Sequence, residues 1–227
     1  MKPSEIWSFP LDNGETGFLR AILAIKDLGL APDSTMRFVG DGFLVQVSKS
    51  NSLEEATFEP DDILISGIFL NKYRTASKFG YQRVGSKTVS IGEVEFPCWF
   101  ADSYNKLLFC RGEIGYELKG FDSEYIRKNW DVRLTLRFPA QLAESAVRAR
   151  AYLENPEQTK EYIALFLSDL RYHPRRDDIL NSIGVSISEP YCEIVRMMLG
   201  EEKLRLYEQA IVGRPNRKRD GLKNWPG

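Results

Sequence analysis

The chain has 227 residues, with 31 Lys and Arg against 32 Asp and Glu, one histidine and three cysteines. At 43% hydrophobic and 12% aromatic it holds enough apolar material for a sizeable core, which excludes disorder along the whole chain. No apolar run approaches the ~20 residues of a membrane span. Met1–Pro10 lacks the charged-then-apolar layout of a secretion signal, and an odd cysteine count (Cys98, Cys110, Cys192) suits a reducing compartment, so a cytoplasmic protein without a membrane partner is expected.

From Ser4 to about Lys119 the pattern is that of strands, with short apolar runs between turn signals. Glu5-Ile6-Trp7-Ser8-Phe9 alternates, Asp12-Asn13-Gly14 offers the positive φ of a tight hairpin, and Thr16–Ala24 returns as its partner. Gly40-Asp41-Gly42 is a second turn, feeding Phe43–Ser48. After an acidic loop, Ile63–Leu70 is the most apolar run and reads as a central strand; Val89–Val94, Lys106–Arg111 and Gly112–Lys119 continue the series. Strands at this spacing predict an antiparallel curled sheet or a small barrel.

Beyond Gly120 the period becomes helical. Ala140–Glu154 is rich in alanine and charge, with Pro139 suited to a first turn, and Asn155-Pro156 ends it. Tyr162, Ile163, Phe166, Leu167 and Leu170 form one apolar stripe, and Tyr191, Ile194, Val195, Met198 and Leu199 a second; both read as core. Gly184 and Gly200 mark stops. One alternating segment, Val132–Phe138, interrupts the helices and would most simply join the first sheet. The expected fold class is α+β: a β-rich region over 1–120, a mainly helical region over 121–212 that shares or adjoins that sheet, and a basic tail over 213–227.

The near-neutral total conceals an uneven layout. Residues 213–227 hold five basic groups and one acid, +4, which leaves −5 on residues 1–212 out of the overall −1. A nucleic-acid binder needs a basic face to neutralise phosphates, so nucleic acid is disfavoured as a partner of the folded body. The strongest acidic feature is Glu54-Glu55-Ala56-Thr57-Phe58-Glu59-Pro60-Asp61-Asp62, five acids in nine residues. Packed like charges repel, and a basic partner relieves the cost and is steered to the patch. Glu54, Glu55, Phe58, Glu59, Asp61 and Asp62 are therefore the candidate partner-binding residues. The plain alternative is a solvated loop between strands.

Catalytic material is sparse. His173, the one histidine, lies in Leu170-Arg171-Tyr172-His173-Pro174 and reads as a helix end rather than as part of a triad. Cys-x-x-Cys pairs, phosphate-cradling glycine loops and multi-histidine sets are all missing, so no cofactor or metal is expected. Asp102 with Glu117-Leu118-Lys119 fits a loose metal-nuclease pattern, in which two carboxylates hold Mg²⁺ and the lysine offsets charge; Glu93 and Glu113 offer equal material. Trp99 and Phe100 read as core packing and Cys98 as a buried hydrophobe, while Lys72–Lys78 reads as a solvated basic turn.

Ile6-Trp7-Ser8-Phe9-Pro10-Leu11, Gly14 and Gly17-Phe18-Leu19-Arg20 together are similar to the opening hairpin of the immunity protein 26 family of bacterial polymorphic toxin systems. Phe43–Val47 and Ile68–Leu70 fit the same β-rich plan, so the resemblance spans about residues 4–100. It implies a cytoplasmic, non-enzymatic protein that binds and neutralises a cognate toxin, and the acidic body suits a basic, nuclease-type one. Two other readings stay open: a metal-dependent nuclease using Asp102, Glu117 and Lys119, and a protein-binding scaffold with an apolar surface.

Overall fold

The computed structural model describes residues 1–32, 34–71, 73–103, 106–130, 136–137, 139–155 and 169–213. Glu5–Pro10 (β1) and Thr16–Ala24 (β2) form the expected hairpin, with Trp7 opposite Leu19 and Pro10 opposite Thr16. Phe43–Ser48 (β3) and Ile63–Leu70 (β4) extend it antiparallel, and Gln82–Ser86 (β5) flanks β1. A second sheet contains Cys98–Ser103 (β6), Lys106–Arg111 (β7) and Ile114–Glu117 (β8), all antiparallel. Leu136–Arg137 (β9), within the segment expected to join the first sheet, pairs parallel with β4; residues 131–135 and 138 lie outside the description.

The first sheet runs β5-β1-β2-β3-β4-β9 and is open, so of the two expected forms it is the curled sheet rather than the barrel. β2 and β3 are its central pair, and β4, expected at the centre, is next to one end. Its apolar run has another cause: the sheet is covered on both faces, which removes the polar half of the alternation. On one face Leu19, Val45, Val47, Ile65 and Leu70 pack with Leu142, Ala146 and Ala149 of the helix Pro139–Glu154. On the other, Ile22, Leu23, Leu44 and Phe69 join the second sheet and the C-terminal helices.

Ser123–Asn129 (α1) starts where Asp122 accepts the Tyr125 N–H at 2.7 Å. Pro139–Glu154 (α2) begins on its proline, as predicted. Arg176–Ile183 (α3) stops at left-handed Gly184, and Tyr191–Leu199 (α4) turns at Gly200 into Glu201–Val212 (α5). Tyr191, Ile194 and Val195 are core, whereas Met197, Met198 and Leu199 are 70%, 49% and 42% exposed, so the second stripe leaves the core at its C-terminal end. Of the first stripe only Leu170 lies in the described residues, buried in a 3₁₀ turn. The basic tail beyond residue 213 is also outside them.

The boundary expected at residue 120 falls between β8 and α1, yet one apolar cluster spans it. Phe96 from before it packs on Tyr191 and Tyr207 from after it, and Phe100 on Trp130, with Trp99 and Phe109 in the same cluster. Val89–Val94 is not the strand that was predicted. It holds a 3₁₀ turn, Ile91–Glu93, in which Ser90 and Glu93 cap each other, so hydrogen bonds to those side chains replace a ladder. β5 is the exposed edge: Gln82, Arg83 and Ser86 face solvent, and Arg83 pairs with Glu5 at 3.2 Å.

Candidate functional site

The acidic run lies in the loop between β3 and β4, and the loop is built from below. The Asp62 carboxylate accepts hydrogen bonds from Ser48 Oγ (2.8 and 2.9 Å), Ser50 Oγ (2.8 Å), the Ser50 N–H (3.3 Å) and the Phe58 N–H (2.8 Å). Phe58 occupies the left-handed region at φ 54, an outlier for a bulky side chain that its surroundings must enforce. Its ring is 2% exposed and packs with Ile6, Phe18 and Ala56, under the Arg20 guanidinium 5.3 Å from the ring centroid.

Two candidate contact residues are corrected by this arrangement. Phe58 is a plug driven into the core, because an aromatic ring gains more by leaving water than by facing a future partner. Asp62 is half-buried and spent on the loop's own donors. Glu54, Glu55, Glu59 and Asp61 remain at the surface. Three cations hold the loop: Lys87 pairs with Glu59 and donates to the Thr57 carbonyl, Lys49 Nζ donates to the Asp61 carbonyl at 2.5 Å, and Arg150 donates to the Ser50 carbonyl at 3.1 Å. Glu54, Glu55 and Asp61 have no ion pair among the described residues.

Arg20 fixes the floor under this loop. It is fully buried in β2, donating to Gln46 Oε1 from Nε and Nη2 (3.2 and 2.6 Å), to the Thr88 carbonyl (3.1 Å) and to Glu93 (2.5 Å). Burial alone would raise the Glu93 carboxyl, but the Ser90 N–H at 2.7 Å and Arg20 outweigh it and hold that group below its ordinary value. A charged residue inside the apolar run Phe18–Ala24 is the signal that points to Arg20 in the sequence.

A second feature, absent from the sequence reading, is a cleft of about 730 Å³ between the end of β7, α3 and the loop after it. Arg111, Arg171, Arg176, Glu95 and Asp177 line it, together with Leu180, Val185, Ile187 and Pro190. Arg171 is committed to the protein: it forks onto Asp169 (2.6–3.1 Å) and donates to Ser66 Oγ (3.0 Å) and the Gly67 carbonyl (2.5 Å). Asp169 also accepts the Cys98 N–H at 3.0 Å, so this pair joins both sheets. Gly67 is required here, since a Cβ would lie 2.0 Å from the Glu95 carbonyl oxygen. That close passage sets Glu95 beside Arg111, at 2.7 Å.

Of the nuclease pattern, register places Asp102 opposite Leu107 and Glu117 opposite Leu108. Glu117 pairs with Lys106 at 2.7 Å, and Lys119 is exposed in the turn beyond β8. Of the two substitutes, Glu93 holds Arg20, and Glu113 holds Lys203 (2.9 Å) and Tyr207 (2.7 Å). Among the described residues no three His, Cys, Asp or Glu side chains cluster as metal ligands.

His173 is the C-cap residue of the 3₁₀ turn Leu170–Tyr172, its N–H donating to the Leu170 carbonyl at 3.2 Å, so it does lie at a helix end; its Nδ1 accepts the Arg175 N–H at 3.1 Å. Trp99, Phe100 and Cys98 are core, as expected. Burial pushes the Cys98 thiol up, and the Cys110 thiol up to about 11, against the thiolate a nucleophile needs. Among the described residues no helix is long and apolar enough to cross a membrane.

No protein-family model matches the chain, and neither a curated protein nor a solved structure resembles it significantly.

Proposed function

We propose that the chain is a non-enzymatic immunity-type protein that docks its acidic β3–β4 loop onto a basic protein toxin, of the nuclease type, in the cytoplasm. The observation that carries this reading is the pre-organisation of the loop. Phe58 is held in a strained conformation and Asp62 takes four donor groups, which fix the loop backbone that carries Glu54, Glu55, Glu59 and Asp61. A backbone held in advance loses little entropy on docking, and its charges steer encounter with an opposite surface. The excess of −5 on residues 1–212 favours the same partner. The likeness of residues 4–100 to the immunity protein 26 family suggests the toxin.

The test is capture by the full chain from its native cells, compared between the unaltered protein and a Glu54→Lys/Glu55→Lys/Asp61→Lys variant. These residues are exposed and lack ion pairs, so charge reversal leaves the fold intact. Reversal at Asp62 would instead release the loop and say nothing about contact. The expected result is one basic protein held by the unaltered chain alone, with an on-rate that falls as salt rises. Expression of that partner is expected to be toxic and to be relieved only by the unaltered chain. A partner retained equally by the variant, or one that is not toxic, overturns the proposal.

A further inference from the structure

The two opposite charge excesses of this chain lie close to one another. Residues 1–212 carry −5 and residues 213–227 carry +4, with Arg214, Arg217, Lys218, Arg219 and Lys223 against Asp220 alone. Gly213, which closes α5, rests on the start of the chain: a Cβ there would lie 3.6 Å from Pro3 Cδ. From Pro3 a short run of contacts leads to the acidic loop. The Ser4 carbonyl accepts the Lys87 N–H at 2.9 Å, and the Lys87 ammonium reaches Glu59 and the Thr57 carbonyl. With ~3.8 Å between consecutive Cα atoms, ~5 Å across a backbone hydrogen bond and ~6 Å along a lysine side chain, that path puts the Glu59 carboxylate within about 25 Å of Gly213.

The run from Arg214 to Lys223 is long enough to close that gap, since about ten residues span up to about 33 Å extended and about 17 Å as a random coil. Its charge is the one the loop lacks. Glu54, Glu55 and Asp61 are exposed with no ion pair among the described residues, and crowded like charges repel until a cation neutralises them. A tether this short holds its cations near the loop at millimolar effective concentration. We propose that Arg214–Lys223 folds back over the β3–β4 loop and masks it, so that a basic partner must displace the chain's own cations. The regulatory sense of this contact rests on the function proposed above; the contact itself does not. A segment that holds the loop about nine-tenths of the time leaves a tenth free and weakens a rival about tenfold. The mask also sharpens selectivity, because a weakly basic surface fails to displace it and a strongly basic one succeeds.

Carbodiimide coupling of the full chain, which joins lysine amines to carboxylates in direct contact, tests the fold-back when the products are mapped by mass spectrometry. Lys218 or Lys223 is expected to couple to Glu54, Glu55 or Asp61 at low salt and to stop doing so in 1 M NaCl, where screening acts beyond about 3 Å. In a mixture of isotope-labelled and unlabelled chains, each coupled pair is expected to come from one chain. Masking is read by fluorescence titration with a labelled nona-arginine peptide. Arg217→Gln/Lys218→Gln/Arg219→Gln is expected to tighten its binding about tenfold, and to lose that gain when combined with Glu54→Lys/Glu55→Lys/Asp61→Lys. Absence of coupling to the loop, coupling only between chains, unchanged nona-arginine binding in the Gln variant, or a gain that persists in the combined variant overturns the inference. Capture of a toxic partner decides the proposed function separately, so either can fail while the other stands.

Discussion

At the scale of single residues, the buried arginines organise this molecule more than its acids do. Arg20 draws together β2, Gln46 of β3, the Thr88 carbonyl, Glu93 and the Phe58 ring. Its only ion-pair partner among the described residues is Glu93. Because the Glu93 carboxyl is held below its ordinary value of 4.5, its pairing stabilises the fold above that pH and is lost as pH falls through the lower, folded value. Protonation then leaves a fully buried guanidinium with neutral acceptors alone. Melting curves of the unaltered chain and Glu93→Gln are therefore expected to differ in Tm at neutral pH and to converge as the medium is acidified past the ordinary carboxylate value and Glu93 takes up its proton. A gap that stays constant through that range would show that the pair contributes nothing to acid stability.

Elements show where local pattern suffices and where it does not. Gly14, Pro139, Gly184 and Gly200 act through their own backbone geometry, and the β1–β2 hairpin, α2 and the stops of α3 and α4 were all legible from them. The sheet order was not legible, because β2, β3 and β4 are apolar on both faces and their composition does not rank them. Val89–Val94 has the apolar content of a strand, but the Ser-x-x-Glu cap of Ser90 and Glu93 closes Ile91–Glu93 into a 3₁₀ turn. In the acidic loop, charge was legible and the inward turn of Phe58 was not, since a positive φ at a phenylalanine is imposed by tertiary contacts. Arg111 and Arg176 line one cleft although sixty-odd residues separate them in the chain, so the cleft had no local signature. Phe58→Ala is expected to cost about 3–5 kcal/mol in urea denaturation, as removal of a buried ring does, with β1–β4 retained. A loss below about 1 kcal/mol would mean that the ring does not anchor the loop.

For the molecule as a whole, the decisive fact is that one apolar cluster takes residues from both sides of position 120. Trp99 and Trp130 share it at 1% and 4% exposure, close to Tyr191 and Tyr207 of the last two helices. Helices that complete a sheet's core cannot leave without exposing it, so tryptophan fluorescence and far-ultraviolet circular dichroism are expected to melt together in one transition. Two separated transitions would establish that the halves fold independently.

The flanks of the first sheet bear on how copies of the chain behave at high concentration. An uncovered strand offers unpaired N–H and C=O groups to any neighbour. Here one flank is β5, short, with Gln82, Arg83 and Ser86 turned to water and Arg83 tethered to Glu5; the other ends in β9, two residues long. An approaching copy would have to bury a guanidinium at the first flank and, among the described residues, would find only two residues of a ladder at the second. The molecule can thus present an acidic loop to a partner while discouraging strand-to-strand growth into fibrils.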